Sequence, residues 1–227
     1  MVGDVTDLLD RPTYDFIATD RLLGLPGGTA KRWIDGYVRS GHSYAPVVRE
    51  SPTGSETVTW GEFVETRFLA MYRERSVPMI KMRPAVDRLR ELLNVKYPLA
   101  HSQPYIGNGE LVLSMQEEIH LESSLRLWVV RSGQLMLSDP AQKFHDTVEF
   151  ERVEGIVQRI WPTADRLVEI NPLKQFGSPV VRAVPTDVIA ELVRAGDSLE
   201  MIGNSYELAP ELVEAALRFE LQLAVAA

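Results

Sequence analysis

Cysteine is absent from the chain. Its absence excludes a disulfide framework and any thiolate zinc site, and fits a reducing compartment. Histidine is scarce: His42, His101, His120 and His145 are the whole supply. They share no metal-ligand spacing with one another or with a carboxylate, so no metal and no other cofactor is expected. No window approaches the roughly eighteen consecutive apolar residues of a membrane span. The opening Met1-Val2-Gly3-Asp4, followed by Asp7 and Asp10, lacks the basic and apolar stretches of a signal peptide. These absences predict a soluble, cytoplasmic protein with no membrane partner.

What is present is ordinary globular composition. Hydrophobic residues make up 45% and charged residues 25% of 227 positions. That is enough to bury a core without a metal or disulfide staple. The length suits two small domains better than one large one. The net charge of −8 argues against nucleic acid until its distribution is read. Arg67, Arg73, Arg75, Lys81, Arg83, Arg88, Arg90 and Lys96 stand against Glu74, Asp87 and Glu91 in one stretch. From Thr186 onward, Arg194 and Arg218 are the only cations among eight acidic residues. The N-terminal half is therefore expected to approach phosphates, and the C-terminal end to attract basic protein.

Periodicity and turn residues divide the chain. A short helix over 18–23 stops at Gly24, and a second runs over 29–38, with Leu22, Leu25, Trp33 and Ile34 packing the pair together. A hairpin is expected within 42–59, turning near Ser51-Pro52-Thr53-Gly54. Helices follow over 62–75 and 78–93. The stretch Tyr105 to Leu113, with Asn108-Gly109 at its centre, predicts a hairpin. A second hairpin is expected from 125–130 and 134–137, with further strands at 147–150 and 156–161. The C-terminal part is helical again over 185–195, 199–204 and from Pro210 onward, with Gly196, Asp197 and Ser198 as stop and cap.

Residues 14–39 carry the sharpest signal. A DNA-reading helix needs a platform helix behind it and a tight turn between the two. Thr29, Lys31 and Arg32 fall early in the second helix, where a reader enters the major groove. Arg49 is expected on the following hairpin, as a wing against the phosphate backbone. An αα-corner with surface cations has the same pattern, so spacing alone leaves both readings open. The order helix, turn, helix, hairpin, helix, helix over 14–93 resembles the DNA-binding domain of the MerR family. The resemblance rests on Leu23-Gly24-Leu25, Thr29, Arg32-Trp33, Val58-Thr59-Trp60, Phe63-Val64 and the run Arg75 to Ile80. It implies a winged helix–turn–helix. One departure is Pro26-Gly27-Gly28 in place of the family's Ser-rich helix start, which weakens the N-cap. The long dimerisation helix of typical members is also missing.

Ile170-Asn171-Pro172, Phe176 to Arg182, Leu192-Val193, Ala195 to Ser198 and Tyr206-Glu207-Leu208 resemble a second family, the small helical domain of unknown function numbered 433. That family's Arg-Gly-Thr step is replaced here by Arg182-Ala183-Val184. The domain commonly occurs in VapB-type antitoxins beside PIN-domain ribonuclease toxins. The resemblance thus implies an antitoxin that binds such a toxin and represses its own operon. Taken together, the expectation is an α+β protein with three parts. These are a winged helix–turn–helix over 1–98, a small antiparallel sheet over 99–169, and a three-helix, helix–turn–helix-like domain over 170–227.

Such a toxin partner can be met by an acidic face, here Glu200, Glu207, Glu211 and Glu214, or by the cations Arg182, Arg194 and Arg218. Two-fold operators further imply a homodimer. The runner-up is a MerR-like regulator with a small-molecule pocket in the middle sheet and no toxin. An enzyme ranks below both, because Glu117-Glu118 beside His120 is the nearest approach to an acid–base or metal cluster.

Overall fold

Two signals in the chain, an Asp before an apolar run and a Thr three residues before a Glu, start the first long elements of the computed structural model. That model describes residues 6–73, 79–106, 109–132 and 134–226. After a short helix α1 (Thr6–Leu9), strand β1 (Pro12–Asp15) leads into α2 (Phe16–Leu22). The Asp15 carboxylate caps α2 by accepting the Ala18 N–H at 2.6 Å. Helix α3 (Thr29–Ile34) follows, then the hairpin β2 (Tyr37–Arg39) and β3 (His42–Tyr44). Its turn residues Ser40 and Gly41 both have positive φ, the two-residue turn that matches strand twist. Strand β4 (Thr57–Thr59) returns to pair antiparallel with β1, with Pro12 opposite Thr59 and Asp15 opposite Thr57.

Helix α4 (Trp60–Tyr72) opens with a reciprocal capping box. Thr59 Oγ1 accepts the Glu62 N–H, and the Glu62 carboxylate accepts the Thr59 N–H at 2.9 Å. Nearly every residue of α4 is buried, so it is the axis around which its unit packs. Trp60, Phe63, Phe68, Leu69 and Tyr72 are its fully buried large side chains. The Trp60 indole N–H donates to the Val157 carbonyl at 2.7 Å. Helix α5 (Arg83–Leu93) ends at Asn94 in the left-handed conformation, and α6 (Gly109–Glu118) packs on the hairpin β5 (Trp128–Arg131) and β6 (Gln134–Leu137). Helix α7 (Asp139–Asp146) places Phe144 edge-on to Phe68, with ring centroids 5.2 Å apart. Strands β7 (Val148–Phe150) and β8 (Val157–Ile160) form a two-stranded sheet.

The C-terminal part holds the hairpin β9 (Val180–Val181) and β10 (Val184–Pro185), then α8 (Thr186–Ala195), α9 (Leu199–Tyr206) and α10 (Pro210–Ala226). Gly196, at φ 104°, stops α8, and Ser198 caps α9. Val168, Ile170, Val180, Val181, Ile189, Val213, Ala216 and Phe219 are buried in this part.

The architecture is α+β: many helices with small, separate, two-stranded antiparallel sheets. Two compact units are distinguished. One comprises Met1–Asp146 with Phe150–Val157, the other Thr147–Glu149 with Gln158–Ala227. The region expected as a middle domain, 99–169, is divided between them. It holds two separate strand pairs and two helices rather than one sheet.

Two expectations are corrected. The hairpin over 105–113 is a helix from Gly109. Val112, Met115 and Gln116 are its buried positions, a helical spacing that continues past the alternating stretch. Gly109 is there for closeness: a Cβ would lie 3.0–3.1 Å from Leu135 and Trp128. Asn108, the expected turn residue, lies outside the described residues, as do Pro78 and most of the run 75–80. The hairpin after α3 is also earlier than expected. The helix expected to reach Val38 ends at Ile34, because Gly36 at φ 74° turns the chain straight into β2.

Candidate functional site

Helices α2 and α3 are joined by a six-residue turn, and one buried side chain sets its geometry. Leu22, Leu25, Ala30 and Ile34 are buried and lock the two helices against one another. Asp20, on α2 and also buried, reaches across the turn. Its two oxygens accept the Gly28 N–H at 2.6 Å and the Ala30 N–H at 2.7 Å. The N-cap that Pro26-Gly27-Gly28 fails to provide locally is thus supplied from eight residues upstream. Gly28 takes the cap position at φ 75°.

Lys31 and Arg32 lie exposed on α3, as expected. Thr29 does not: it is 4% exposed, and its Oγ1 accepts from Arg32 Nη2 at 2.8 Å. It therefore orients Arg32 from beneath rather than standing on the surface. The adjoining hairpin β2–β3 is exposed along both strands. Tyr37 and Tyr44 stack across it at 4.5 Å and 6°, and Arg39 pairs with His42 next to the tip. Cross-strand partners share a face, so these four side chains make one aromatic and basic surface. Among the described residues, Lys31 and Arg39 have no ion-pair partner.

Arg49 departs most from expectation. It is on neither strand of the hairpin, and its side chain is 8% exposed. The guanidinium donates to Asp35 Oδ1 and Glu62 Oε1 at 2.7 Å each, and to Thr53 Oγ1, the Ser55 carbonyl and the Thr57 carbonyl. Asp35 also receives the Thr53 N–H at 2.7 Å and the Gly54 N–H at 3.1 Å. Burial pushes the Asp35 carboxyl up, but the Thr53 N–H, Arg49 and the Gly54 N–H outweigh it and hold it below the ordinary carboxylate range. Arg49 thus ties the end of α3, the loop 53–57 and the start of α4 together, with no donor turned to solvent for a phosphate. A cavity of about 280 Å³ lies beside this network, between Val48, Arg49, Glu62, Arg90 and Tyr97.

The described cations of the stretch 81–96 are engaged in similar ways. Arg83 donates to the Pro46 and Glu50 carbonyls, and Arg90 to Val48 and Lys96 carbonyls and to Asp87. Lys81 pairs with Glu122, Arg88 with Glu91 and Glu118, and Lys96 with Asp10. Glu65, on α4, is fully buried. One oxygen accepts the Leu99 N–H at 3.0 Å and the other has no partner among the described residues. Burial pushes its pKa up to about 8, against the pull of Arg90 and the Leu99 N–H. No group of three or more His, Asp or Glu that would hold a metal ion occurs among the described residues. Nor is any described helix long and apolar enough to cross a membrane.

In the C-terminal unit, Arg182, Arg194, Glu200, Glu207, Glu211, Glu214 and Arg218 are all exposed. They do not act as one cluster. Arg218 is drawn to Asp165 at 3.3 Å and to Glu214 at 3.7 Å, which offsets part of the acidic face. Arg182, at the tip of β9–β10, has φ 57° and donates to the Glu207 carbonyl at 3.3 Å.

Residues 168–219, covering the last three helices but for the end of α10, match the family model described as "Protein of unknown function (DUF433)". The resemblance read from Ile170 to Leu208 falls inside that span. Over 226 residues the chain is 39% identical to Uncharacterized protein Rv2308 of Mycobacterium tuberculosis, spanning 95% of this chain and 92% of that one. The chain belongs to the same family as Rv2308. Its fold is similar to the crystal structure of Rv2018 from Mycobacterium tuberculosis, with a TM-score of 0.75 at 23% identity over 92% of this chain and 99% of that one.

Proposed function

We propose that the chain is a DNA-binding antitoxin of VapB type. On this reading it neutralises a PIN-domain ribonuclease toxin and represses its own operon as a homodimer in the cytoplasm. The DNA half rests on one observation: α3 is capped and held by Asp20, and it presents Lys31 and Arg32 beside an exposed hairpin carrying Arg39. A reading helix must be held in place and its cations available; the Asp20 bonds hold α3, and Lys31 has no ion-pair partner among the described residues. The wing of this MerR-like head is β2–β3, with Arg39 and His42 in the role first expected of Arg49. The toxin half rests on the match of residues 168–219 to a domain found in such antitoxins.

Three cations per copy set a scale for the test. Two copies neutralising about six phosphates give a slope of log affinity against log salt of about −5. The Lys31→Ala, Arg32→Ala double variant should lose specific operator binding, with the slope falling to about −2. Unchanged operator affinity, or a strictly monomeric complex with DNA, refutes the DNA half. Co-expression with the product of the adjacent reading frame, followed by pull-down, tests the toxin half. An adjacent product that is neither a nuclease nor retained refutes it. The cavity beside Arg49 supports a second reading, a regulator whose small-molecule effector shifts α3 through the Arg49 network. It predicts operator affinity that responds to a metabolite and not to a protein.

A further inference from the structure

The loop between Ile170 and β9 is held in an unfavourable backbone conformation to display a phenylalanine. The Asn171 side chain accepts the Leu173 N–H at 2.9 Å and its carbonyl accepts the Lys174 N–H at 2.9 Å, which bends the chain. Gln175, Phe176 and Gly177 then take φ of 44°, 54° and 86° in succession. Only the last of these is at ease in the left-handed region; a bulky aromatic there is an outlier. The Phe176 ring gains nothing from the fold in return, since it is 85% exposed, and Leu173 beside it is 57% exposed. Gln175 Nε2 donates to the Ala183 carbonyl at 3.3 Å, tying this loop to the tip of β9–β10, where Arg182 is likewise at positive φ. Strain together with exposed apolar surface disfavours the free chain and is retained where a bound state uses it.

We propose that Phe176, with Leu173 beside it, is the anchor by which this unit docks a protein partner, filling an apolar pocket with an acidic rim. The rim chemistry follows from the charges around the anchor. Arg182 is exposed on the turn that Gln175 contacts, and Lys174 is exposed but shares the mostly covered Glu169 with Arg159, which leaves the charge around the anchor net positive. Phenylalanine and arginine are both enriched at protein interfaces, and the Gln175–Ala183 contact ties the Phe176 loop to the turn that carries Arg182. The partner is the nuclease toxin, so the assignment rests on the antitoxin reading above. It shifts the docking surface away from the acidic residues of α9 and α10, which Arg218 partly neutralises.

The test uses the full chain and the purified product of the adjacent reading frame. Phe176→Gly removes the anchor and relaxes the backbone at one stroke. It should therefore raise the melting temperature while weakening nuclease binding at least tenfold, and Arg182→Gly should do the same to a lesser degree. A merely structural Phe176 gives the reverse, a lower melting temperature. Binding unchanged in Phe176→Gly, with the wild type still bound, overturns the loop assignment and leaves the antitoxin reading standing. No binding by the wild type overturns both. Dissociation of a homodimer by Phe176→Gly, seen by sedimentation, makes the loop a contact between copies and overturns the proposal. Loss of operator affinity alone overturns it in favour of nucleic acid.

Discussion

Replacing Glu65 by Gln should make the protein more stable, by an amount that grows as pH rises above about 5. Glu65 is fully buried on α4, with one oxygen on the Leu99 N–H and the other without a partner among the described residues. Burial raises its pKa from 4.5 to about 8; Glu62 and Asp87 push the same way, and Arg90 and the Leu99 N–H oppose. Between those two values the folded chain holds a proton that the unfolded chain has released. Its contribution to stability is thus complete below about pH 4.5 and is lost as pH rises through about 8. At roughly 1.4 kcal/mol per pH unit, the loss approaches about 5 kcal/mol across the window, of which about 3 kcal/mol is gone by pH 7. That is a large share of a typical domain's 5–15 kcal/mol or so. Gln keeps the acceptor for Leu99 and does not titrate. Urea denaturation of both proteins at constant ionic strength should give matching stabilities at pH 5 and a difference of a few kcal/mol by pH 8. Groups common to both proteins, His101 and Arg67 included, cancel in the difference. Parallel profiles, with the difference constant within about 0.5 kcal/mol from pH 5 to 8, refute the assignment of a buried, protonated carboxyl.

Two further substitutions test the reading head. Asp20→Ala removes both caps from α3 and should cost about 1–2 kcal/mol. Faster amide exchange at Gly28 and Ala30, with operator affinity falling alongside, is the expected result; unchanged exchange rules Asp20 out as the cap. Arg49→Met leaves Asp35 and Glu62 buried without their cation and should destabilise the fold by about 3–5 kcal/mol. Its salt slope on operator DNA should stay that of the wild type, because Arg49 has no donor left for phosphate; a slope shallower by about two units, one contact in each of two copies, shows otherwise.

Much of the secondary structure was legible because local chemistry fixed it. The Thr59/Glu62 capping box, the Gly196 stop and the Ser198 cap each act within four residues, and the helices they bound lie close to where periodicity puts them. What was not legible acts over longer separations. The Asp20 cap spans eight to ten residues, and the network that buries Arg49 spans thirteen to Glu62 and fourteen to Asp35. No spacing rule reaches that far without a fold. The middle region failed for a different reason. Leu111 and Leu113 alternate as in a strand while Val112 and Met115 repeat as in a helix, and the packing of Gly109 against Trp128 decides between them. Phe176 was visible only as part of a family pattern; the sole local hint was an aromatic set directly before Gly177 in a Pro- and Gly-rich turn.

On the DNA-binding reading, the fate of the cations limits the size of the DNA footprint. The run 67–96 looks from composition like the phosphate-facing side of the protein. In the fold its members are drawn inward or to neighbours: Arg83 and Arg90 bind backbone carbonyls of 46–50, and Lys81, Arg88 and Lys96 reach acids on other elements. A guanidinium on main-chain oxygens is more useful to a loop that lacks regular structure than to a distant phosphate, since buried carbonyls without partners are costly. The stretch from Ala45 to Glu56 contains no strand or helix, and Arg49, Arg83 and Arg90 satisfy its carbonyls instead. Several of the cations that make the N-terminal unit basic therefore hold the loop beside α3 in shape, and on the DNA-binding reading Lys31, Arg32 and Arg39 are those that α3 and the hairpin present. A net charge of −8 opposes non-specific attraction to nucleic acid. On the DNA-binding reading proposed above, operator affinity draws on shape and base contacts made by two copies as well as on about six phosphates, so it should depend steeply on both dimerisation and salt.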